Sequence, residues 1–178
     1  MIAPVDVESA LRDLIRLLQP AHAGEMAAAY AYRGHWRSVS DPVERERIRK
    51  IEGDEWHQRS LVAGMLAKLG AAPSRLREGR ARVVGRTLGA LCYVSGWFMP
   101  MYGAGAIERK NIVEYEDAVE LAHACGRVDF LECLGQMAEV EREHERYFRS
   151  LLEGHPLTRL LPLWKTPPVR EPGGGARQ

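Results

Sequence analysis

Acidic residues recur inside apolar helical stripes of this chain, and a carboxylate in such a place sharply limits the folds that can hold it. Glu108 shares a stripe with Ile112, Tyr115, Val119 and Ala122, while Glu141 and His144 share one with Met137, Val140, Phe148 and Leu151. Asp54 and His57 fall in register with Ile51, Leu61 and Met65, and Glu25 sits among Ala27, Ala28, Ala29 and Tyr32, small neighbours that permit close helix approach. Residues three apart project from one side of a helix, so Asp54/His57 and Glu141/His144 each aim a carboxylate and an imidazole at a common point. Four buried carboxylates cannot stay ionised and unpaired, since each buried charge costs several kcal/mol. Two divalent cations would balance them. One Glu from each of two helices and a carboxylate-x-x-His from each of the other two is the plan of a di-iron bundle. Oxygen and imidazole donors without thiolate suit iron, or manganese, better than a structural zinc ion. The expected metal ligands are therefore Glu25, Asp54, His57, Glu108, Glu141 and His144, holding two iron ions. Glu120 and His123 repeat the spacing but lie about 120° round the helix from Glu108, which predicts a solvated pair.

The rest of the chain reads as all-α. Helix formers dominate its 178 residues, 46% are apolar, and alternating Ile/Val/Thr-rich runs are few, so one domain with a continuous core is expected over residues 1–165. Glu8 to Leu18 is helical in period, Pro20 predicts a break, and His22 to His35 resumes the pattern. Asp41-Pro42 with Glu44 marks the start of a helix over 42–69, and Gly70 marks its stop. After a connection at Ser74–Gly79, a long element runs from Val83 to about Gly126, with a kink expected at Pro100. A last helix spans 128–152 and closes at Gly154-His155-Pro156. Residues 166–178, with Pro167-Pro168 and Gly173-Gly174-Gly175, predict a disordered tail.

A net charge of +1, with acids and bases intermixed, supplies no field for nucleic acid. The three cysteines, Cys92, Cys125 and Cys133, lack CxxC spacing, which argues against disulfides or a thiolate zinc site and for a reducing compartment. Residues 1–10 show no leader pattern, so the cytoplasm is expected. Thr87 to Ile107 carries no charge, but four glycines and Pro100 make it a poor membrane span. It is expected either to be buried or to rest on an apolar substrate or a membrane surface, at the inner face.

Several motifs resemble those of the demethoxyubiquinone hydroxylases, carboxylate-bridged di-iron monooxygenases of ubiquinone biosynthesis. His22-Ala23-Gly24-Glu25, Tyr32-Arg33-Gly34, Ala72-Pro73-Ser74, Gly105-Ala106-Ile107-Glu108 and Glu141-Arg142-Glu143-His144 follow that family's motifs in order and spacing over residues 10–153. The resemblance implies a ferritin-like four-helix bundle with additional short helices, two irons, dioxygen, and hydroxylation of a quinone-like or other apolar aromatic ring reached from the membrane. It also implies a role near the metals for Tyr115, the candidate catalytic residue. Three departures accompany it. Asp54-Glu55-Trp56-His57 stands where the family has Glu-x-x-His, Glu114 where it has a histidine associated with electron delivery, and Trp97–Tyr102 where smaller residues are usual. Iron oxidation or peroxide removal of a ferritin or rubrerythrin kind, and a bundle that has lost its metals, are the alternatives. A homo-oligomer is compatible with each.

Overall fold

The capping signals at Asp41-Pro42, Gly70, Gly126 and Gly154 fall at real helix ends, and five α-helices result. The computed structural model describes residues 6–170: α1 Val7–Ser38, α2 Pro42–Lys68, α3 Arg75–Leu91, α4 Phe98–Ala124 and α5 Leu131–Leu152, with 3-10 turns at Val128–Phe130 and Pro156–Arg159. No strand occurs among the described residues. Asp41 caps α2, its carboxylate accepting from the Val43 and Glu44 amides at 2.8 and 2.9 Å, and Pro42 occupies the first turn. Helices α1, α2, α4 and α5 form the bundle, while α3 lies on the outer side of α1.

Three details differ from the sequence expectation. Helix α1 runs unbroken through Pro20. The carbonyl that loses its amide partner there belongs to Arg16, an exposed residue that water can reach. Pro100 kinks nothing, because α3 ends at Leu91, Gly96 turns the chain at φ 74°, and α4 begins at Phe98, which puts Pro100 in a first turn that needs no amide. Residues 166–170, expected in a disordered tail, lie along the bundle. Thr166 donates to Glu145 at 2.8 Å, Arg142 donates to the Pro167 carbonyl at 2.5 Å, and Arg170 pairs with Glu116 at 3.3 Å. The remainder of that expected tail, 171–178, is outside the described residues.

The core falls into two apolar clusters. Leu14, Leu18, Val62, Leu66, Tyr115 and Leu134 belong to one; Tyr32, Ile48, Ile51, Met101, Phe148 and Leu152 to the other. On all four bundle helices the acidic position, at Glu25, Glu55, Glu108 or Glu141, falls between the residues of these clusters. The polar layer is thus sandwiched between two apolar ones, where water is excluded and every polar atom must find a partner.

Candidate metal centre

The polar layer is built from Glu25 on α1, Glu55 and Gln58 on α2, Glu108 on α4, and Glu141 and His144 on α5, each at most 4% exposed. Four of the six expected ligands are here: Glu25, Glu108, Glu141 and His144. The expectation for α2 is corrected by one residue. His57 points to solvent and Asp54 stands at the rim with a third of its side chain exposed, while Glu55 and Gln58 turn inward. Ile51, Gln58 and Met65 lie on the boundary between two neighbouring stripes of α2, one continuing through Asp54 and Leu61, the other through Glu55 and Val62. Burial of Ile48, Val62 and Leu66 selects the second. The carboxylate-x-x-His pattern falls in the first, because three residues after Glu55 the inward position holds the amide of Gln58.

Asp54 still serves the site. Its carboxylate meets His144 Nε2 at 3.2 Å, which turns Nδ1 of that ring toward Glu55 Oε1 at 3.6 Å and Glu141 Oε2 at 3.8 Å. A carboxylate on the outer ring nitrogen fixes the tautomer and aims the inner one, an arrangement that supports a metal-ligating histidine. Gln58 Nε2 donates to Glu141 Oε1 at 2.6 Å. Two tyrosines close the layer, Tyr32 donating to Glu108 and Tyr115 to Glu25. Tyr115, the candidate catalytic residue, is thus placed against the cluster. Glu120 and His123 lie away from it, His123 exposed.

The electrostatics reflect crowding. Burial, reinforced by the Glu141 charge, pushes the Glu25 carboxyl up to about 8. Burial and neighbouring carboxylates hold Glu55 and Glu108 well above the usual range. Glu141 is the member kept ionised. Burial works against its charge, but the neighbouring Glu108 carboxyl, the His144 imidazole and the Gln58 amide hold it below the ordinary carboxyl value. Burial opposes the His144 cation too, and Asp54 and Glu141 outweigh it and raise that imidazole.

Protonation satisfies only part of this layer. Glu25 Oε2, both Glu55 oxygens, Glu141 Oε2 and His144 Nδ1 have no hydrogen-bond partner among the described residues. Ligand atoms of Glu55, Glu108, Glu141 and His144 lie within 4.8 Å of one another, so one cation could be reached by all four. Orphaned oxygens and one imidazole nitrogen converging in a dry layer fit iron or manganese. Residues 12–121 match the family described as ubiquinone biosynthesis protein COQ7. This chain belongs to that family. The matched segment carries Glu25, Glu55 and Glu108, and α5 with Glu141 and His144 lies beyond it. No curated protein and no solved structure matches the chain. The COQ7 family is one of ubiquinone biosynthesis, and the all-helical bundle found here is the fold expected of it.

An apolar cavity of about 250 Å³ adjoins the layer, walled by Ala28, Ala31, Tyr32, Leu88, Met99 and Ile107 among others. Leu91 in its wall is exposed, as are Val94 and Trp97 in the turn that follows α3. This is where the uncharged Thr87–Ile107 stretch goes: it forms the end of α3, the turn and the start of α4. No described helix is long and apolar enough to cross a membrane. Glu114, at the position where the family's histidine was expected, is half-buried beside a second opening that leads past Asn111 to Glu25, and burial raises its carboxyl.

Proposed function

We propose that this COQ7-family protein is a metal-dependent hydroxylase that uses dioxygen to add a hydroxyl group to an apolar, quinone-like ring such as that of a demethoxyubiquinone. The observation that carries the reading is Tyr32, whose ring walls the apolar cavity while its hydroxyl donates to Glu108 of the polar layer. One side chain thus joins a site suited to a greasy ring with a site suited to a redox metal. Iron held by Glu55, Glu108, Glu141 and His144, with a second ion beside Glu25 and Gln58, would supply the reduction of dioxygen. The protein's own contribution is orientation and dryness. Asp54 aims the His144 ring, the two apolar clusters exclude water, and the cavity holds the ring next to Tyr32. His35 adds a polar point to that wall. It is buried and stacked on Tyr32 and Phe148, burial pushes its imidazole down to about 4, and Nε2 has no partner among the described residues, which leaves it suited to an oxygen substituent on the ring.

Exposed Val83, Val84, Leu88, Leu91 and Val94 beside Arg82 and Arg86 would let the mouth rest on an anionic lipid surface, from which such a substrate would enter. The test is anaerobic loading with ferrous iron, then addition of dioxygen, a chemical reductant and a short-chain demethoxyubiquinone. Hydroxylated product is expected, falling by more than ~100-fold in Glu108→Gln, where a charged ligand becomes a neutral one. Iron-loaded protein that yields no hydroxylated product would sink the proposal. Consumption of peroxide or free ferrous iron without an organic substrate would favour the ferritin or rubrerythrin reading.

A further inference from the structure

Helices α2 and α5 present the same spacing to the polar layer: Asp54-Glu55-x-x-Gln58 on one, Val140-Glu141-x-x-His144 on the other. The two halves are chemically unequal. Across the layer, Asp54 of α2 holds the outer nitrogen of His144 on α5 at 3.2 Å. The reciprocal pair is Val140 and Gln58, which line one groove between the same two helices. An isopropyl group stands where a carboxylate would steady a ring, and an amide stands where the ring would be. Both changes remove the same function, a ligating imidazole and the group that aims it.

Gln58 is also committed elsewhere. Its amide nitrogen donates to Glu141 Oε1 at 2.6 Å, and its buried Oε1, without a partner among the described residues, is a neutral oxygen and a weaker donor than imidazole. Glu25, the other group on that side, accepts from Tyr115 and lies outside the set whose ligand atoms fall within 4.8 Å of one another.

We propose that the two metal positions differ in affinity. The position built by Glu55, Glu108, Glu141 and His144 retains its ion, and the position beside Glu25 and Gln58 binds about 10–100-fold more weakly, the usual scale for losing a ligand's support. The inference rests on the reading of the polar layer as a metal centre. It also implies that the weaker ion is exchangeable, so the centre is assembled only when metal is in excess.

Metal-free protein titrated anaerobically with manganous ion, then desalted, tests this without reference to turnover. Wild type is expected to keep one ion, with the resonance spectrum of an isolated manganous centre, and to take up a second only reversibly. The double variant Gln58→His/Val140→Asp is expected to keep two, with the spectrum of a coupled pair. Two ions held equally by wild type would overturn the inequality and leave the metal centre standing. No ion held even in excess would overturn both. A folded double variant that still keeps one ion would overturn the assignment to Gln58 and Val140. If that variant does not fold, the ratio of the two wild-type affinities decides.

Discussion

Metal-free protein is expected to melt roughly 10 °C lower at pH 8.5 than at pH 6.5, and to recover when ferrous or manganous ion is added under argon. The sign follows from the raised carboxyls. Glu25 titrates at about 8 and Glu55 and Glu108 well above the usual 4.5, all through burial first and neighbouring charge second. In the unfolded chain these groups have lost their protons well below pH 6.5. Over the window the folded state therefore holds protons that the unfolded state does not, and stability falls as pH rises through the folded values. The loss is on the order of 3 kcal/mol. His144, raised by Asp54 and Glu141 against its burial, acts in the same direction. His35 and His22, both lowered by burial, act the other way, adding stability as pH rises past the ordinary imidazole value of 6.5, and so offset a small part of the loss at the start of the window. A cation in the layer takes the place of the protons and removes the penalty, adding about 2.7 kcal/mol at a hundredfold excess over its dissociation constant. Thermal melts with and without metal measure both halves. A pH-independent melting temperature in the metal-free protein would contradict the account, and Glu108→Gln, neutral throughout, should flatten the slope.

The same residues show what a sequence can and cannot reveal about such a centre. Glu108, Glu141 and His144 were legible because their helices carry wide apolar stripes whose direction is unambiguous. Helix α2 was not. It is charged over much of its surface, and its two neighbouring stripes share Ile51, Gln58 and Met65. His57 lies in the outer stripe and completes a carboxylate-x-x-His pattern there, against the inward direction that Ile48, Val62 and Leu66 carry. Asp54 resembles a ligand in the sequence because a residue that holds a ligand's ring and a residue that holds the metal are the same chemical type. Pro20 reads as a break because sequence shows the lost amide and not the exposed side of the helix on which its carbonyl falls. The five residues 166–170 read as tail by composition, yet Glu145 and Glu116, buried on neighbouring helices, need the donors that Thr166 and Arg170 supply.

Substituting alanine for glycine in α3 and in the face of α1 that it packs on is expected to change sign with position. Gly79 is exposed and a methyl group there would meet nothing within 4 Å, so Gly79→Ala should stabilise by about 0.5–1 kcal/mol through helix propensity. Gly85 faces α1 so closely that an added Cβ would stand 2.3 Å from the Ala27 carbonyl oxygen, and at Gly34 it would stand 2.2 Å from that of Gly89. Both obstacles are backbone, which cannot swing aside as a side chain would. Gly85→Ala and Gly34→Ala should therefore each cost roughly 1–3 kcal/mol, the propensity gain notwithstanding. The cheapest relief is for α3 to lift away, since it packs mainly on α1 and leaves Leu76, Val83 and Val84 exposed. Because Leu88 and Leu91 of α3 wall the apolar cavity, lifting it opens the site for the ring while the four helices that carry the polar layer remain together. Limited proteolysis should then cut within 75–91 in these variants and not in wild type or Gly79→Ala, with manganese retention unchanged. Loss of the metal alongside α3 would show instead that the two sites depend on one packing unit.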